Sequence, residues 1–176
     1  GSITKDIGVS GLARHGLTLK TYDDAQRLHQ ELSSRYRTFL ASATPGTLCQ
    51  VIVGGAGLTG VELTAELHAM LKRLAKGLGD GQERFVVKLL DADRRLVAGL
   101  PDWMAAAIQT RLGQFRHIQV MLQSEIVAVG ERTVLLRNGD RYEYVLFVWT
   151  GGVAAHPLGA VCKVDWTGRI TVRSTL

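Results

Sequence analysis

The stretch CQVIVGGAGLTGVELTAEL, residues 49–67, decides the fold of this chain. Its opening residues, Cys49 to Val53, are mostly apolar and β-branched, which predicts a short buried strand. The glycines that follow, Gly55, Gly57 and Gly60, have the spacing G-x-G-x-x-G. Apolar residues then recur at helical intervals from about Gly60 to Lys76, so the chain here predicts strand, glycine turn and helix in direct succession.

A second strand follows this helix. Phe85–Leu90 is apolar apart from Lys88, and two strands joined by a helix form a βαβ unit, which implies a parallel sheet. Pro101 is suited to the first turn of another helix, which we expect to run to about Leu112. Ile118–Leu122 then predicts a third strand.

The pattern changes after residue 125. Residues 126–129, 133–136 and 142–149 predict strands joined by tight turns, and Asn138-Gly139 is a hairpin signal. We therefore expect an antiparallel β-meander where the next crossover helix would lie. The predicted fold class is α/β, a Rossmann-like parallel sheet with an antiparallel β-meander in place of one crossover helix.

The residues before the first predicted strand divide into two parts. Residues 1–20 show no clear periodicity and contain four glycines, so we interpret them as a connecting segment. Thr21 and Asp24 resemble a capping box with a shortened acid, and apolar residues at helical spacing follow to about Leu40. We expect an amphipathic helix there, and the main domain comprises residues 21–176.

Composition excludes several classes of function. The 176 residues are 46% hydrophobic and 21% charged, as in a globular domain, and their net charge is +5. The basic residues are scattered without interleaved aromatic residues, so we expect no nucleic acid partner. The long uncharged stretches, 38–61 and 144–162, are interrupted by glycine and proline, and the chain shows no signal peptide.

Cysteine and histidine offer no special chemistry. Cys49 and Cys162 form no C-x-x-C motif, which favours buried free thiols in a reducing compartment, the cytoplasm. The five histidines show no metal-ligand spacing, so we expect no metal site.

The glycine motif has the context that a dinucleotide site requires, a strand before it, a helix after it and an acid at the end of the next strand. Gly55 allows a tight turn, Gly57 lets backbone approach a pyrophosphate, and Gly60 lets the helix pack on the strand. The free N–H groups of the helix start then face the anion. The predicted contacts are those of the whole motif, Gly55, Ala56, Gly57, Leu58, Thr59 and Gly60. The alternative is a purely structural turn.

Asp91 ends the second strand and is the predicted acid. At that position a carboxylate accepts hydrogen bonds from the adenosine ribose hydroxyls and repels a 2′-phosphate, which favours NAD(H) over NADP(H). Ala92 follows it and completes this part of the predicted site. Arg94 and Arg95 come close behind and are able to tolerate a phosphate, so the alternative cofactor stays open. The structural alternative for Asp91 is a solvated strand end.

Glu62 falls in the first turn of the helix on this pattern. A carboxylate is favourable at the positive helix end, but that end is already offered to a pyrophosphate. A second anion raises the local repulsion, so we interpret Glu62 as a residue with a role at the far end of the cofactor. The alternative, a carboxylate that only stabilises the helix end, stays open.

Thr150-Gly151-Gly152 follows the last predicted strand. A second glycine pair, Gly151 and Gly152, at the carboxyl end of a strand lets backbone approach a ligand in the crevice of the sheet. The alternative is an ordinary turn into the loop at Pro157. We interpret Trp103 and Trp149 as packing residues rather than as stacking partners for a cofactor.

Several segments together resemble one family. Residues 51–67, VIVGGAGLTGVELTAEL, resemble the NADH-binding motif of type II NADH dehydrogenases, membrane-peripheral members of the pyridine nucleotide-disulfide oxidoreductase superfamily. LLDADRRLVAGLPDWM (89–104), LFVWTGGVAAHPL (146–158) and VDWTGRITVRSTL (164–176) are similar to that family's second strand, closing strand and return toward the flavin domain. Residues 1–28 resemble the crossover between its two domains.

The resemblance implies that this chain is the NAD(H)-binding domain of an FAD-dependent NADH dehydrogenase. In the family an FAD-binding domain precedes these residues and a Gly-Asp flavin motif follows them, so residues 1–20 would be the crossover from the FAD domain. Hydride passes from NADH to FAD, and the electrons then pass to an acceptor, in this branch a quinone. The implied parent is cytoplasmic and peripheral on the inner face of the membrane, and the fragment itself binds nucleotide without catalytic residues.

The resemblance also assigns places to the predicted residues. Glu62 would lie near the nicotinamide, Asp91 at the adenosine ribose, and Gly151 and Gly152 beside the nicotinamide half of NADH. Other enzyme classes lack their signatures here: Tyr-x-x-x-Lys of short-chain dehydrogenases, G-x-S-x-G of hydrolases and C-x-x-C of disulfide reductases. A stand-alone, non-catalytic NAD(H)-binding sensor stays open as an alternative of a different class.

Overall fold

The computed structural model describes residues 2–4, 8–156, 161–165 and 170–172. In chain order the elements are β1 (Ser2–Thr4), α1 (Leu12–His15), β2 (Leu17–Thr18), α2 (Tyr22–Ser42), β3 (Cys49–Gly54), α3 (Leu58–Gly77), β4 (Phe85–Leu90), α4 (Asp102–Gly113), β5 (Ile118–Met121), β6 (Ile126–Val129), β7 (Thr133–Leu136), β8 (Arg141–Glu143), β9 (Leu146–Trp149) and β10 (Val153–Ala155). Pro157 and residues 166–169 and 173–176, on which parts of the sequence predictions fall, lie outside the described residues.

A five-stranded sheet forms the centre of the molecule, in the order β2-β9-β3-β4-β5. All of its neighbouring strands are parallel, and Val51 of β3 is in register with Val87 of β4, which is in register with Ile118 of β5. The predicted βαβ unit and the predicted parallel sheet are confirmed. Because parallel strands place their carboxyl ends at one edge, the loops after β3, β4 and β9 meet there.

The two faces of the sheet carry different layers. Alternate strand residues such as Val51, Val53 and Phe85 pack with the helices α2, α3 and α4 in one hydrophobic cluster. The residues between them, such as Ile52 and Leu90, pack with the antiparallel strands on the other face. The result is a layer of helices, the parallel sheet and a layer of antiparallel strands.

The meander is confirmed as a three-stranded antiparallel sheet, β6-β7-β8. Gly139 adopts φ +92° in the turn between β7 and β8, a left-handed conformation that suits glycine. The single strand predicted for residues 142–149 is wrong, because the chain changes sheets within it. Arg141–Glu143 pairs with β7, whereas Leu146–Trp149 pairs with β3, and both runs have strand-like composition, so the break was not visible in the sequence.

Helix α2 begins at the capping box that the sequence predicted. The Thr21 hydroxyl accepts a hydrogen bond from the Asp24 backbone N–H (3.1 Å), and the Asp24 carboxylate accepts one from the Thr21 N–H (2.8 Å). The backbone hydrogen bonds from Thr21 and Lys20 lower the pKa of Asp24 below its ordinary value. The predicted helix is confirmed, with its last residue at Ser42 rather than Leu40.

Residues 1–20 contribute more structure than a bare connection. β2 pairs in parallel with Val148 and Trp149 at the end of β9, and Leu12 of α1 is buried. β1 pairs antiparallel with β10. These elements have two to four residues each, too few for periodicity to reveal them.

The two cysteines are both free thiols but differ in burial. Cys49 begins β3 in the core, and burial raises the pKa of its thiol to about 12. Cys162 is exposed, so the expectation that both thiols are buried is wrong for this residue. Its neighbourhood lacks the strand periodicity that placed Cys49 in the sheet.

Candidate functional site

The loop between β3 and α3 carries the glycine motif and lies at the carboxyl edge of the sheet. Gly55 adopts φ +102°, and a Cβ added there would lie 2.5 Å from the Gly151 Cα atom. The position therefore requires glycine both for its backbone conformation and for the close approach of the loop after β9. The role predicted for Gly55, a tight turn after the strand, agrees with this geometry.

Gly60 lies inside the first turns of α3, where the helix crosses directly over the loop. A Cβ on Gly60 would overlap the Gly55 carbonyl oxygen and approach the Thr150 hydroxyl to 2.8 Å. The glycine is thus required for the packing of the helix start against the ends of two strands, which is the role that the sequence predicted.

Gly57 differs from both of these glycines. It is exposed, its φ of −68° is open to any residue, and a Cβ added there would meet nothing within 4 Å. No packing or conformational reason requires glycine at this position. Open space above the backbone at the start of a helix is the arrangement that lets a phosphate group approach N–H groups closely.

Helix α3 presents its amino terminus at this open space. Its first residues, Leu58 and Thr59, are exposed, and the hydrogen bond from Val61 N–H to Gly57 O (3.0 Å) closes its first turn. The N–H groups that precede this bond lack intrahelical acceptors, and the helix dipole places positive potential beside them. The start of α3 is therefore suited to an anion.

The Ala56 peptide connects the glycine loop to the loop that follows β4. Ala56 is 1% exposed, and its N–H donates a hydrogen bond to the Asp91 carboxylate. Its carbonyl accepts a hydrogen bond from the Val97 N–H (2.9 Å). Ala56 is thus held from both sides by residues of the second loop.

Asp91 lies directly after β4 with its carboxylate at the glycine loop. One oxygen accepts the Ala56 N–H, and the other accepts the Asp93 N–H (2.7 Å). A carboxylate oxygen accepts two hydrogen bonds, so each retains capacity for a ribose hydroxyl. Asp91 is half-buried and bonded to backbone on both oxygens, while Ala92, the next predicted contact, is exposed.

The loop after β9 packs on the glycine loop. The Thr150 hydroxyl lies 3.0 Å from the Gly54 carbonyl oxygen and 2.8 Å from that of Gly55, so its single hydrogen is shared between the two acceptors. Its backbone N–H donates to the Gly54 oxygen at 2.7 Å. A Cβ on Gly151 would overlap the Trp149 ring, so this glycine is required for packing. Gly152 has φ +138° and open space at its Cβ position, which leaves it the more accessible of the pair.

Glu62 is exposed on α3, but the predicted place for it in the first turn is wrong. The helix begins at Leu58 rather than near Gly60, so Glu62 lies in the second turn. Helix starts that contain glycine are hard to locate from propensity, because glycine is a poor helix former. The structure does not bring the Glu62 carboxylate into a described contact with the other predicted residues.

The loop from Arg95 to Asp102 was missed by the sequence predictions as a part of this region. Leu96 and Val97 are buried, and Val97 supplies the N–H that holds Ala56. The apolar run from Leu96 to Leu100, between Arg95 and Asp102, was the available signal for this packing. Trp149 is confirmed as a core packing residue, whereas Trp103 is 71% exposed and lies at the surface.

The protein family of this chain follows from its similarity to known proteins. The family model described as pyridine nucleotide-disulphide oxidoreductase matches residues 1–176. The chain belongs to this family. The resemblance noted in the sequence is confirmed at this level.

Curated relatives in the pyridine nucleotide-disulphide oxidoreductase family agree with the resemblance. A NADH dehydrogenase-like protein of Mycobacterium tuberculosis is 32% identical over 178 residues, which cover 98% of this chain and 42% of that protein. A type II NADH:quinone oxidoreductase of Haemophilus influenzae is 26% identical over 171 residues, 88% of this chain and 38% of that protein. The chain spans about two fifths of the length of the curated relatives that it matches.

Solved structures of other proteins have the same fold as this chain. A Plasmodium falciparum NDH2 in complex with NADH superimposes with a TM-score of 0.79 at 17% identity, over 90% of this chain and 34% of that one. A ferredoxin reductase from Rhodopseudomonas palustris gives a TM-score of 0.67 at 21% identity, over 92% of this chain and 35% of that one. At these identities the likeness concerns the fold.

Two further observations concern only the described parts of the chain. None of their helices combines the length and hydropathy that a membrane crossing requires. Their histidine, cysteine and acidic side chains form no cluster of three or more that would suit a metal ion.

Proposed function

We propose that this chain binds NADH at the carboxyl edge of its parallel sheet, as the nucleotide domain of an FAD-dependent NADH dehydrogenase. The observation that carries the proposal is the open space at Gly57 beside the amino terminus of α3. The other glycines of the motif are required by packing, but Gly57 is not. Its place before the unpaired N–H groups of a helix is explained by an anionic ligand such as a pyrophosphate.

The two flanking loops give the proposed site its orientation. Asp91 offers carboxylate oxygens at the end of β4, where an adenosine ribose would lie, while Gly151 and Gly152 border the opposite side of the glycine loop. We propose that the pyrophosphate contacts the motif from Gly55 to Gly60, that Asp91 and Ala92 lie at the adenosine end, and that Thr150, Gly151, Gly152 and Glu62 lie toward the nicotinamide.

In the proposed parent enzyme NADH supplies a hydride to FAD, and a quinone is the proposed final acceptor. The support for this comes from relatives whose names include NADH dehydrogenase and NADH:quinone oxidoreductase. Because this chain matches about two fifths of their length, we propose that the remainder of the parent holds the FAD-binding domain, with residues 1–20 as the crossover from it. We further propose a cytoplasmic parent that is peripheral on the inner face of the membrane.

Calorimetric titration of the purified chain with NADH and NADPH tests the nucleotide site. We expect NADH to bind more tightly than NADPH, because the Asp91 carboxylate disfavours a 2′-phosphate. Gly57→Ala should weaken NADH binding at least tenfold, since its methyl group would occupy the space for the phosphate. The fold should lose no more than about 1 kcal/mol, because the backbone at Gly57 accepts alanine.

A matched control lies at the other end of the same helix. Gly77→Ala adds the same methyl group in open space on α3, where it is expected to leave NADH affinity unchanged. Equal NADH affinity of the wild type and Gly57→Ala would contradict the proposed pyrophosphate position. Stoichiometric FAD in the purified chain, or unaided turnover of NADH with a quinone, would contradict its assignment as a nucleotide domain only.

A further inference from the structure

Arg94 and Arg95 adopt different positions although they are neighbours in sequence. Arg94 is exposed, whereas the Arg95 guanidinium is directed into the loop after β4. There it donates hydrogen bonds to the carbonyl oxygens of Ala98 and Leu100 (3.0 Å) and pairs with the Asp102 carboxylate. Three of its five N–H donors are therefore used within this loop, which fixes the orientation of the guanidinium.

These contacts close residues 95–102 into a compact loop with an unfavourable backbone at its centre. Val97 adopts φ +44°, a left-handed conformation that is costly for a β-branched residue. The same loop contains a hydrogen bond from Leu100 N–H to Val97 O (2.7 Å), and Val97 is 4% exposed. Such a conformation persists only where surrounding contacts hold it, and the Arg95 side chain supplies contacts of this kind.

Val97 transmits this constraint to the glycine loop. Its N–H donates to Ala56 O (2.9 Å), while the Ala56 N–H is held by Asp91. The Ala56 carbonyl and the Gly57 N–H belong to one peptide plane, so the bond from Val97 sets the direction in which the open backbone of Gly57 and the start of α3 are presented. The bond to Asp91 holds the preceding peptide plane, between Gly55 and Ala56. A loss of the Val97 contact would therefore release the bond that orients the peptide at Gly57.

We propose that Arg95 is a positioning residue for the nucleotide site, which it supports through Val97 and Ala56 without contacting the nucleotide. The inference rests on the proposed function, because it assumes that the glycine loop receives a pyrophosphate. It predicts that Arg95 matters for NADH affinity and does not matter for the discrimination between NADH and NADPH.

The test measures NADH and NADPH affinities of the purified chain by calorimetry, with circular dichroism to check that each variant is folded. Arg95→Gln should weaken NADH and NADPH binding by the same factor, about tenfold. Val97→Gly in the Arg95→Gln background should restore most of the affinity, because glycine adopts the left-handed conformation without strain. Arg132→Gln, a change at an exposed arginine of the meander, is the matched control with expected unchanged affinity.

The possible results separate the alternatives. Unchanged NADH affinity in Arg95→Gln overturns the positioning role, as does a loss confined to NADPH, which would indicate a direct 2′-phosphate contact. A loss that Val97→Gly does not restore also overturns it. If Arg95→Gln does not fold, Asp102→Asn replaces it, because the Asp102 side chain is 94% exposed and its substitution should not unfold the chain. We expect Asp102→Asn to weaken NADH binding about threefold. Unchanged NADH affinity in this variant would contradict the positioning role. Absence of NADH binding by the wild type would instead show that the proposed function fails.

Discussion

At the amino ends of β3 and β4, buried polar side chains form hydrogen bonds with one another, whereas at the carboxyl ends of the same strands backbone packs on backbone. The Tyr36 hydroxyl at the amino edge donates to the Asp80 carboxylate (2.7 Å), which also accepts the Arg84 backbone N–H (2.8 Å). The glycine loop at the carboxyl edge instead lies against Gly151. The amino edge is closed by the paired side chains of Tyr36 and Asp80, and the carboxyl edge leaves backbone donors for a ligand.

This difference shows how one sheet separates stability from binding. Burial alone would raise the pKa of Asp80, but hydrogen bonds from Tyr36 and Arg84 hold it below its ordinary value. Asp80 is 8% exposed and Tyr36 is fully buried, so this paired group is closed to a ligand. At the carboxyl edge glycine removes side chains from the loop, so the N–H groups at the start of α3 stay accessible.

The largest expected effect comes from Gly60→Ala, which breaks the carboxyl edge. The added methyl group overlaps the Gly55 carbonyl oxygen, so the helix start must move away from the strand ends. We expect a loss of about 3 kcal/mol in the free energy of unfolding, together with loss of NADH binding. Denaturant unfolding and calorimetry measure the two effects.

A control for Gly60→Ala is Gly113→Ala, which places a methyl group in open space at the end of α4. Its free energy of unfolding and its NADH affinity should match those of the wild type. If Gly60→Ala behaves in the same way as this control, the close packing of helix on loop is not required.

A smaller effect is expected from Asp80→Ala at the amino edge. The substitution leaves the buried Tyr36 hydroxyl without its acceptor, and it removes the ion pair with Arg84 (3.2 Å). We expect the free energy of unfolding to fall by about 2 kcal/mol, while NADH affinity of the folded chain stays unchanged. Tyr36→Phe, which deletes only the hydroxyl, should cost less. A change of NADH affinity in Asp80→Ala would show that the two edges are coupled.

The glycine motif and the central strands could be predicted because their signals are local. A β-branched run between glycines and an apolar helix face are visible within about twenty residues of sequence. The roles of Gly55 and Gly60 followed from the same local pattern. The place of Asp91 at the end of β4 followed from the same pattern, and its contact with a ribose stays a prediction, but its bond to the Ala56 N–H joins positions far apart in the chain.

What could not be predicted depends either on pairing between distant parts of the chain or on an unusual local backbone conformation. Whether residues 142–149 form one strand or two is decided by pairing partners in β3 and β7. The partners of Arg95 are set by a loop conformation with Val97 in a left-handed state, which no propensity favours. Tyr36 and Asp80 belong to different elements, and neither has a motif that indicates their contact.

The smallest expected effect is a pH dependence that belongs to the amino edge alone. His68 of α3 is 8% exposed, and its ring lies 4.9 Å from that of Phe115 and 6.3 Å from that of His117. Burial lowers the pKa of His68, and the nearby charges of His117 and Lys72 lower it further, against an opposing contribution from Glu83.

The unfolded chain therefore binds a proton on His68 more readily than the folded chain does. Stability should fall as the pH drops from about 6.5, the ordinary histidine pKa, and this loss is complete below the folded-state pKa. Denaturant unfolding between about pH 7.5 and pH 5 should show a weaker pH dependence in His68→Gln than in the wild type. His29→Gln, at an exposed histidine of α2, should retain the wild-type slope. An equal pH dependence of the free energy of unfolding in all three proteins would exclude His68 as the titrating group. A change of NADH affinity in His68→Gln would show that the amino edge is coupled to the proposed nucleotide site at the carboxyl edge.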